Sequence, residues 1–165
     1  MSPRVPAIEL DRLCVRYGEA SALEDVTLAV KEGEILGLIG RAGAGKSTLL
    51  KSIQGLAEPA SGAILLFGEP HDRLASRDRL AYLPDRFRPP GHMSGREFLA
   101  MTLAVYRQSV AWTAMQAAAL RLELEPGALG EPVQGYSKSM AQKLGLLAVL
   151  LTGRPTLLLD EPLSG

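Results

Sequence analysis

The 165-residue chain reads as an α/β protein, and three observations predict it. A short continuous apolar run, "ILGLIG" at 35–40, ends in a glycine-rich turn that gives way to helical residues. A second apolar run, "LLLDEP" at 157–162, ends in two adjacent carboxylates and a proline. Between them the hydrophobic period changes to that of helices. The expected organisation is a strand-and-helix core over 1–85 and 133–165, with a helical insertion over 86–132.

The elements follow in order. Residues 7–40 read as strands. Val26, Leu28 and Val30 alternate onto one face, and "KEGE" supplies a turn around Gly33. "ILGLIG" is then a strand of the type buried on both faces. A helix follows the glycine-rich turn, with Gly55 as its C-cap. "AILLF" is a strand before a Gly68–Pro70 turn, and "LAYL" another before Pro84. Ser94 and Glu97 stand in capping-box spacing at a helix start, with Phe98, Met101, Thr102 and Val105 expected on its buried face. A second helix carries a packing stripe of Trp112, Met115, Ala119 and Leu122. "EPGALGEPVQG" breaks the period, and "SKSMAQKLGLLAVLL" is a third helix leading to the closing strand.

Composition bounds the function. With 47% hydrophobic residues the chain can bury a domain core, and 18 basic side chains balance 18 acidic ones. Net charge therefore suggests neither a nucleic-acid-binding stripe nor a polybasic membrane anchor. Mixed-sign runs such as "RDRLAYLPDRFR" read as a solvated face. Cys14 is the single cysteine, which excludes an intramolecular disulfide and fits a reducing compartment; in "RLCVRY" it reads as core filler rather than a reactive thiol. The N-terminus lacks a signal-peptide apolar region, and "LGLLAVLL" falls far short of the ~18 apolar residues of a membrane span.

"GRAGAGKS", Gly40 to Ser47, matches G-x-x-x-x-G-K-[ST] at every fixed position. Successive backbone N–H groups can converge on phosphate oxygens only in a tight turn unobstructed by Cβ atoms. Gly40, Gly43 and Gly45 allow that turn, with Arg41, Ala42 and Ala44 filling its variable positions. The helix that starts near Gly45 points its positive end at the same anion. Lys46 is placed to reach the β- and γ-phosphates, Ser47 to ligate Mg²⁺, and Thr48 to assist on the α-phosphate side. A strand before and a helix after is the context that supports nucleotide triphosphate binding. The fold expected is thus a P-loop NTPase.

In P-loop proteins a second strand brings an aspartate to the metal, and Asp160 at the end of "LLLDE" suits that role. Glu161 is placed to act as general base on the attacking water.

"GYSKSMAQKLGLL" lies between these motifs, and with it the chain resembles the ATP-binding cassette family over nearly its whole length. The family's signature appears as "YSKSM", so Ser137, Lys138, Ser139 and Met140 are its counterparts. Tyr17 in "VRYGEASALEDVTL" looks like the aromatic that stacks on adenine. "YLPD" at 82–85 looks like the Q-loop and "LSG" at 163–165 like the start of the D-loop. The style of "AYLPDRFRPPGHMSGREFL" is similar to bacterial export-type cassettes. The resemblance implies a RecA-like parallel sheet, an N-terminal antiparallel β subdomain and an inserted helical subdomain. It implies ATP and Mg²⁺ as cofactors, sandwiched between two cassettes, with Ser137 and the N-terminus of its helix reaching the γ-phosphate in trans. It further implies docking of the insertion on a transmembrane permease at the cytoplasmic face of the membrane, and no nucleic-acid partner.

The pattern departs from the family in places. Asp85 stands where the family most often has glutamine; it is shorter and, when ionised, only accepts hydrogen bonds, yet it remains a candidate for Mg²⁺ or its water. Lys138 and Ser139 replace signature glycines. Ser139 either crowds the γ-phosphate or adds a hydroxyl donor, and Lys138 favours the anion. The family's switch histidine has no counterpart in His71 or His92, which read as solvated loop residues. The family strand that follows the second motif, expected between the two motif strands, is absent, so the chain is expected to be the N-terminal part of a longer cassette. Three functions remain open: an ATP-hydrolysing transporter subunit, a cassette ATPase working without a membrane partner, and a nucleotide-binding fragment without transport activity.

Overall fold

The computed structural model describes residues 5–162, so the expected D-loop start at 163–165 lies outside the described residues. The chain divides into two units, residues 1–80 and 81–165.

The first unit is built on an antiparallel sheet. Strand β1 (Ile8–Tyr17) pairs with β2 (Ala20–Val30), setting Leu13 opposite Val26, Leu10 opposite Leu28 and Ile8 opposite Val30. The alternation read from the sequence is the one observed: Val26, Leu28 and Val30 turn inward while Thr27 and Ala29 are exposed. Strand β3 (Ser61–Leu66) adds to the other side of β1. The two-residue strand β4 (Glu69–Pro70) closes the order β2-β1-β3-β4. Phe67 and Gly68 join β3 to β4 with positive φ at both positions, 52° and 79°, as a tight hairpin turn demands. Gly62 faces the irregular part of β1: a Cβ there would lie 2.4 Å from the Arg12 carbonyl oxygen and 2.6 Å from that of Asp11, so no larger residue fits. Helix α1 (Lys46–Gln54) ends at Gly55 in the left-handed region, and one short turn, α2 (Leu74–Arg77), follows β4. Leu10, Leu13, Val15, Ile64 and Leu66 form the buried face of the sheet. Cys14 is half-buried, and its sulfur accepts a hydrogen bond from the Asp25 amide at 3.3 Å, a partner the sequence did not suggest.

One expectation fails here. Residues 35–40, expected as a strand buried on both faces, carry no regular secondary structure and belong to no ladder among the described residues. Ile35 is 98% exposed and Ile39 is 100% exposed. The physical reason is the absence of neighbours. Burial on both faces needs paired strands that carry covering elements, and within the described residues nothing pairs with this run.

In the second unit, β5 (Leu80–Leu83) and β6 (Thr156–Leu159) form a two-stranded parallel sheet. The helices α3 (Gly95–Val105), α4 (Trp112–Arg121) and α5 (Lys138–Leu151) lie between them in sequence, with 3₁₀ turns at 126–130 and 133–135. Helix α3 begins with the expected capping box: Ser94 Oγ accepts from the Glu97 amide, and the Glu97 carboxylate accepts from the Ser94 amide. Its buried face differs from the expected one. Phe98, Leu99 and Leu103 point inward, whereas Met101 and Val105 are 42% and 75% exposed. Both stripes satisfy helical spacing, and the packing of α3 on its neighbours decides which one turns to the core. The α4 stripe is as expected, with Met115 and Ala119 buried and Trp112 and Leu122 packed against the same cluster. Leu99, Leu129, Leu144 and Leu147 are fully enclosed at its centre. Beside it, Ala81, Leu83 and Val149 pack with Leu157 and Leu159, which anchors the β5–β6 pair on α5.

Candidate functional site

The loop at 40–45 is shaped by two left-handed glycines. Gly43 has φ 81° and Gly45 φ 86°, backbone that costs an L-residue about 1–2 kcal/mol. Gly40 does not need positive φ; its constraint is proximity, since a Cβ there would meet that of Ala44 at 3.3 Å. Gly45 is constrained twice. Its hypothetical Cβ would lie 2.6 Å from the Ala22 carbonyl oxygen and 2.7 Å from Leu23 Cδ2. The loop therefore sits tight against β2 at the point where α1 begins.

Helix α1 starts without a side-chain cap and without an acidic residue in its first turn. Its first amides thus have no carboxylate of their own to satisfy them, and the positive end of the helix opens on the loop. The Lys46 ammonium lies over the same loop, donating to the carbonyls of Gly40 at 3.0 Å and Arg41 at 3.3 Å. Ser47 and Thr48 are half-buried on the first turn, while Arg41, Ala42 and Ala44 are exposed. Amides, an ammonium and a hydroxyl around a glycine bend make an anion cradle. Tyr17 closes β1 and is 55% exposed.

The second unit holds the carboxylates. Strand β6 carries Asp160 into a buried position, 4% exposed, and the Asp160 amide donates to the Leu83 carbonyl of β5 at 2.9 Å. Glu161 follows with its side chain exposed and φ 50°, an uncommon conformation for a non-glycine residue. Asp85 is exposed on the turn after β5. Tyr82, on β5, was not singled out by the sequence. Its hydroxyl is buried with no hydrogen-bond partner among the described residues. Burial holds its phenol above the usual tyrosine range, and the charges of Asp160 and then Asp85 raise it further. Asp160, Asp85 and Tyr82 thus share one end of the β5–β6 pair.

Ser137 is the N-cap of α5, its Oγ accepting from the Met140 amide at 3.1 Å. Ser137 and Lys138 are exposed, Ser139 and Met140 half-buried, and the first turn carries no acidic residue. This end of the 14-residue helix is therefore also electropositive and faces solvent. Tyr136 just before it donates its hydroxyl hydrogen to the Ala128 carbonyl, which fixes the entry to the helix. Gln142, one turn further on, is a second residue the sequence left unassigned: it is 6% exposed, and its Nε2 donates to the Glu161 carbonyl at 3.3 Å. In the sequence it stands beside Lys143 in the polar first half of the helix, and nothing there marks it as buried. His92 is exposed as expected, but His71 is half-buried, and burial holds its imidazole below the usual histidine range.

A family model described as ABC transporter matches residues 23–164. The chain belongs to the ABC transporter family. It is 33% identical to a probable ABC transporter ATP-binding/permease protein of Haemophilus influenzae, over 97% of its own length and 30% of that protein. It is 34% identical to the zinc import ATP-binding protein ZnuC of Pseudomonas syringae pv. syringae, over 96% of its length and 56% of that protein. Among solved structures, a putative ABC transporter ATP-binding protein from Pyrococcus furiosus superimposes with a TM-score of 0.88 at 25% identity, covering 96% of this chain and 76% of that one. The chain thus spans less than two thirds of these curated relatives. The expected family and the mixed α/β cassette fold are both borne out.

Proposed function

We propose that this chain is the ATP-binding, ATP-hydrolysing part of an ABC transporter, working through a partner membrane permease. The observation that carries the reading is the Gly43–Gly45 bend, backed onto β2 and opening on the uncapped start of α1 with Lys46 across it. In this reading backbone amides of 40–48 and Lys46 bind the triphosphate, and Tyr17 offers its exposed ring to the adenine. The reading assigns Mg²⁺ to Ser47 of the first unit and to Asp160 and Asp85 of the second, all of them hard oxygen donors. When bound, Mg²⁺ neutralises charge that builds on the phosphates.

Glu161 is the general base. Its exposed carboxylate orients the attacking water and takes its proton, a role typically contributing about 10²–10⁴-fold in rate. Ser137 and the electropositive start of α5 serve a second copy's nucleotide, with Lys138, Ser139 and Met140 shaping that contact. The partners are a second cassette and a permease that docks on the helical segment 86–132. None of the described helices is long and apolar enough to cross a membrane. The reading puts the chain at the cytoplasmic membrane face, held there by that permease.

The central spatial claim is that 40–48 and 160–161 serve one nucleotide. Mg-ATP titration of the parent protein, Lys46→Ala and Asp160→Asn tests it. Both variants are expected to weaken Mg-dependent binding. Full Mg-dependent affinity in Asp160→Asn would separate the carboxylates from the cradle and refute the reading.

A further inference from the structure

Glu161 occupies a backbone conformation that its sequence context opposes. Its φ is 50°, in the left-handed region that L-residues with long side chains avoid. The next residue is Pro162, and a residue before proline is biased towards extended backbone by contact with the proline ring. Two local preferences are thus overridden at one position, so neighbouring structure must hold it.

Two hydrogen bonds flank the residue. On the strand side the Asp160 amide is tied to Leu83 O at 2.9 Å. On the other side Gln142 Nε2 donates to Glu161 O at 3.3 Å. Gln142 is 6% exposed on a helix whose neighbouring residues Leu144, Gly145 and Leu147 are buried, so the side chain is anchored within packed structure. A buried carboxamide is costly unless bonded, and the Glu161 carbonyl supplies the bond. We propose that Gln142 is a positioning residue for Glu161, its amide holding the Glu161 carbonyl so that the left-handed backbone keeps the carboxylate aimed at the water. This rests on the reading of Glu161 as the base. Gln142 touches no reacting atom; its effect passes through the 161–162 peptide.

The test is steady-state ATPase kinetics with parallel ATP-binding titrations on the natural full-length protein, comparing the parent, Gln142→Met, Glu161→Gln and the double variant. Methionine keeps the length of the side chain and removes the donor. Gln142→Met is expected to lower kcat about tenfold, the scale of one lost hydrogen bond, with ATP Kd within about twofold of the parent. In the Glu161→Gln background the same substitution is expected to change the residual rate little, since two residues acting as one unit do not add. Unchanged kcat in Gln142→Met overturns the proposal. So does an equal fold-loss in the Glu161→Gln background, or a loss confined to ATP affinity. Parent-like turnover in Glu161→Gln alone refutes the base assignment instead, a separate outcome. If Gln142→Met is misfolded by circular dichroism, Gln142→Glu replaces it, with an acceptor where the donor stood and the same expected fall; undiminished kcat there overturns the proposal equally.

Discussion

Lys46 Nζ lies 3.0 Å from the carbonyl oxygen of Gly40, so the ammonium of this lysine is satisfied by the loop that it is placed to serve. A bound phosphate competes for the same donor. Charge-assisted hydrogen bonds are worth about 1.5–3 kcal/mol each. Lys46→Ala is therefore expected to weaken ATP binding by at least about tenfold, read by calorimetric titration. Unfolding by urea measures separately whether the loop needs the lysine for its own shape.

The two left-handed glycines of the loop differ in their surroundings, and a pair of substitutions exposes the difference. Gly43→Ala meets open space and incurs only the backbone penalty of about 1–2 kcal/mol. Gly45→Ala adds contacts with the Ala22 carbonyl oxygen and Leu23 Cδ2 that are too short to keep, so β2 or α1 must shift. Chemical denaturation is expected to rank Gly45→Ala clearly below Gly43→Ala in stability. Equal losses would mean the loop is not seated against β2.

Glu161→Gln keeps the shape of the side chain and removes its basicity. ATP affinity is expected to persist while kcat falls by about 10²–10⁴. Single-turnover measurements on the natural full-length protein distinguish this from a block in product release.

The α3 cap gives a pH signature. Hydrogen bonds from the Ser94 amide and hydroxyl, each at 2.8 Å, hold the Glu97 carboxyl below its ordinary range. A carboxyl lowered in the folded state contributes stability above its unfolded pKa of ~4.3 and loses that contribution as pH falls through the lower folded value. The stability deficit of Glu97→Gln is expected to be largest near neutrality and to vanish in acid. Ser94→Ala is expected to cost about 1 kcal/mol near neutrality through the lost cap. Thermal melts from pH 7 to pH 3 check both.

The elements that the sequence announced most clearly were those with local chemistry. The glycine bend, the Gly55 stop of α1 and the Ser94–Glu97 box each depend on residues within a few positions of one another, so their spacing is enough to read them. What escaped depends on tertiary choice. The stripe through Met101 and Val105 and the stripe through Leu99 and Leu103 are both helical, and only the orientation of α3 on its neighbours decides between them. Gln142 meets Glu161 across 19 positions, a pairing that no local pattern records. Tyr82 falls within the strand run "LAYL" and opens "YLPD", and neither pattern records that its hydroxyl is enclosed near two carboxylates. The run at 35–39 is the reverse case: its apolar character was plain, but burial belongs to partners and not to composition.

The bare isoleucines of that run set a practical condition on handling the molecule. Ile35 and Ile39 face water on backbone that no ladder claims among the described residues, and unpaired apolar backbone of this kind is a template for pairing with another segment. During synthesis the same five residues leave the ribosome well before the closing strand of the second unit. In the test tube their exposure is a reason to work dilute.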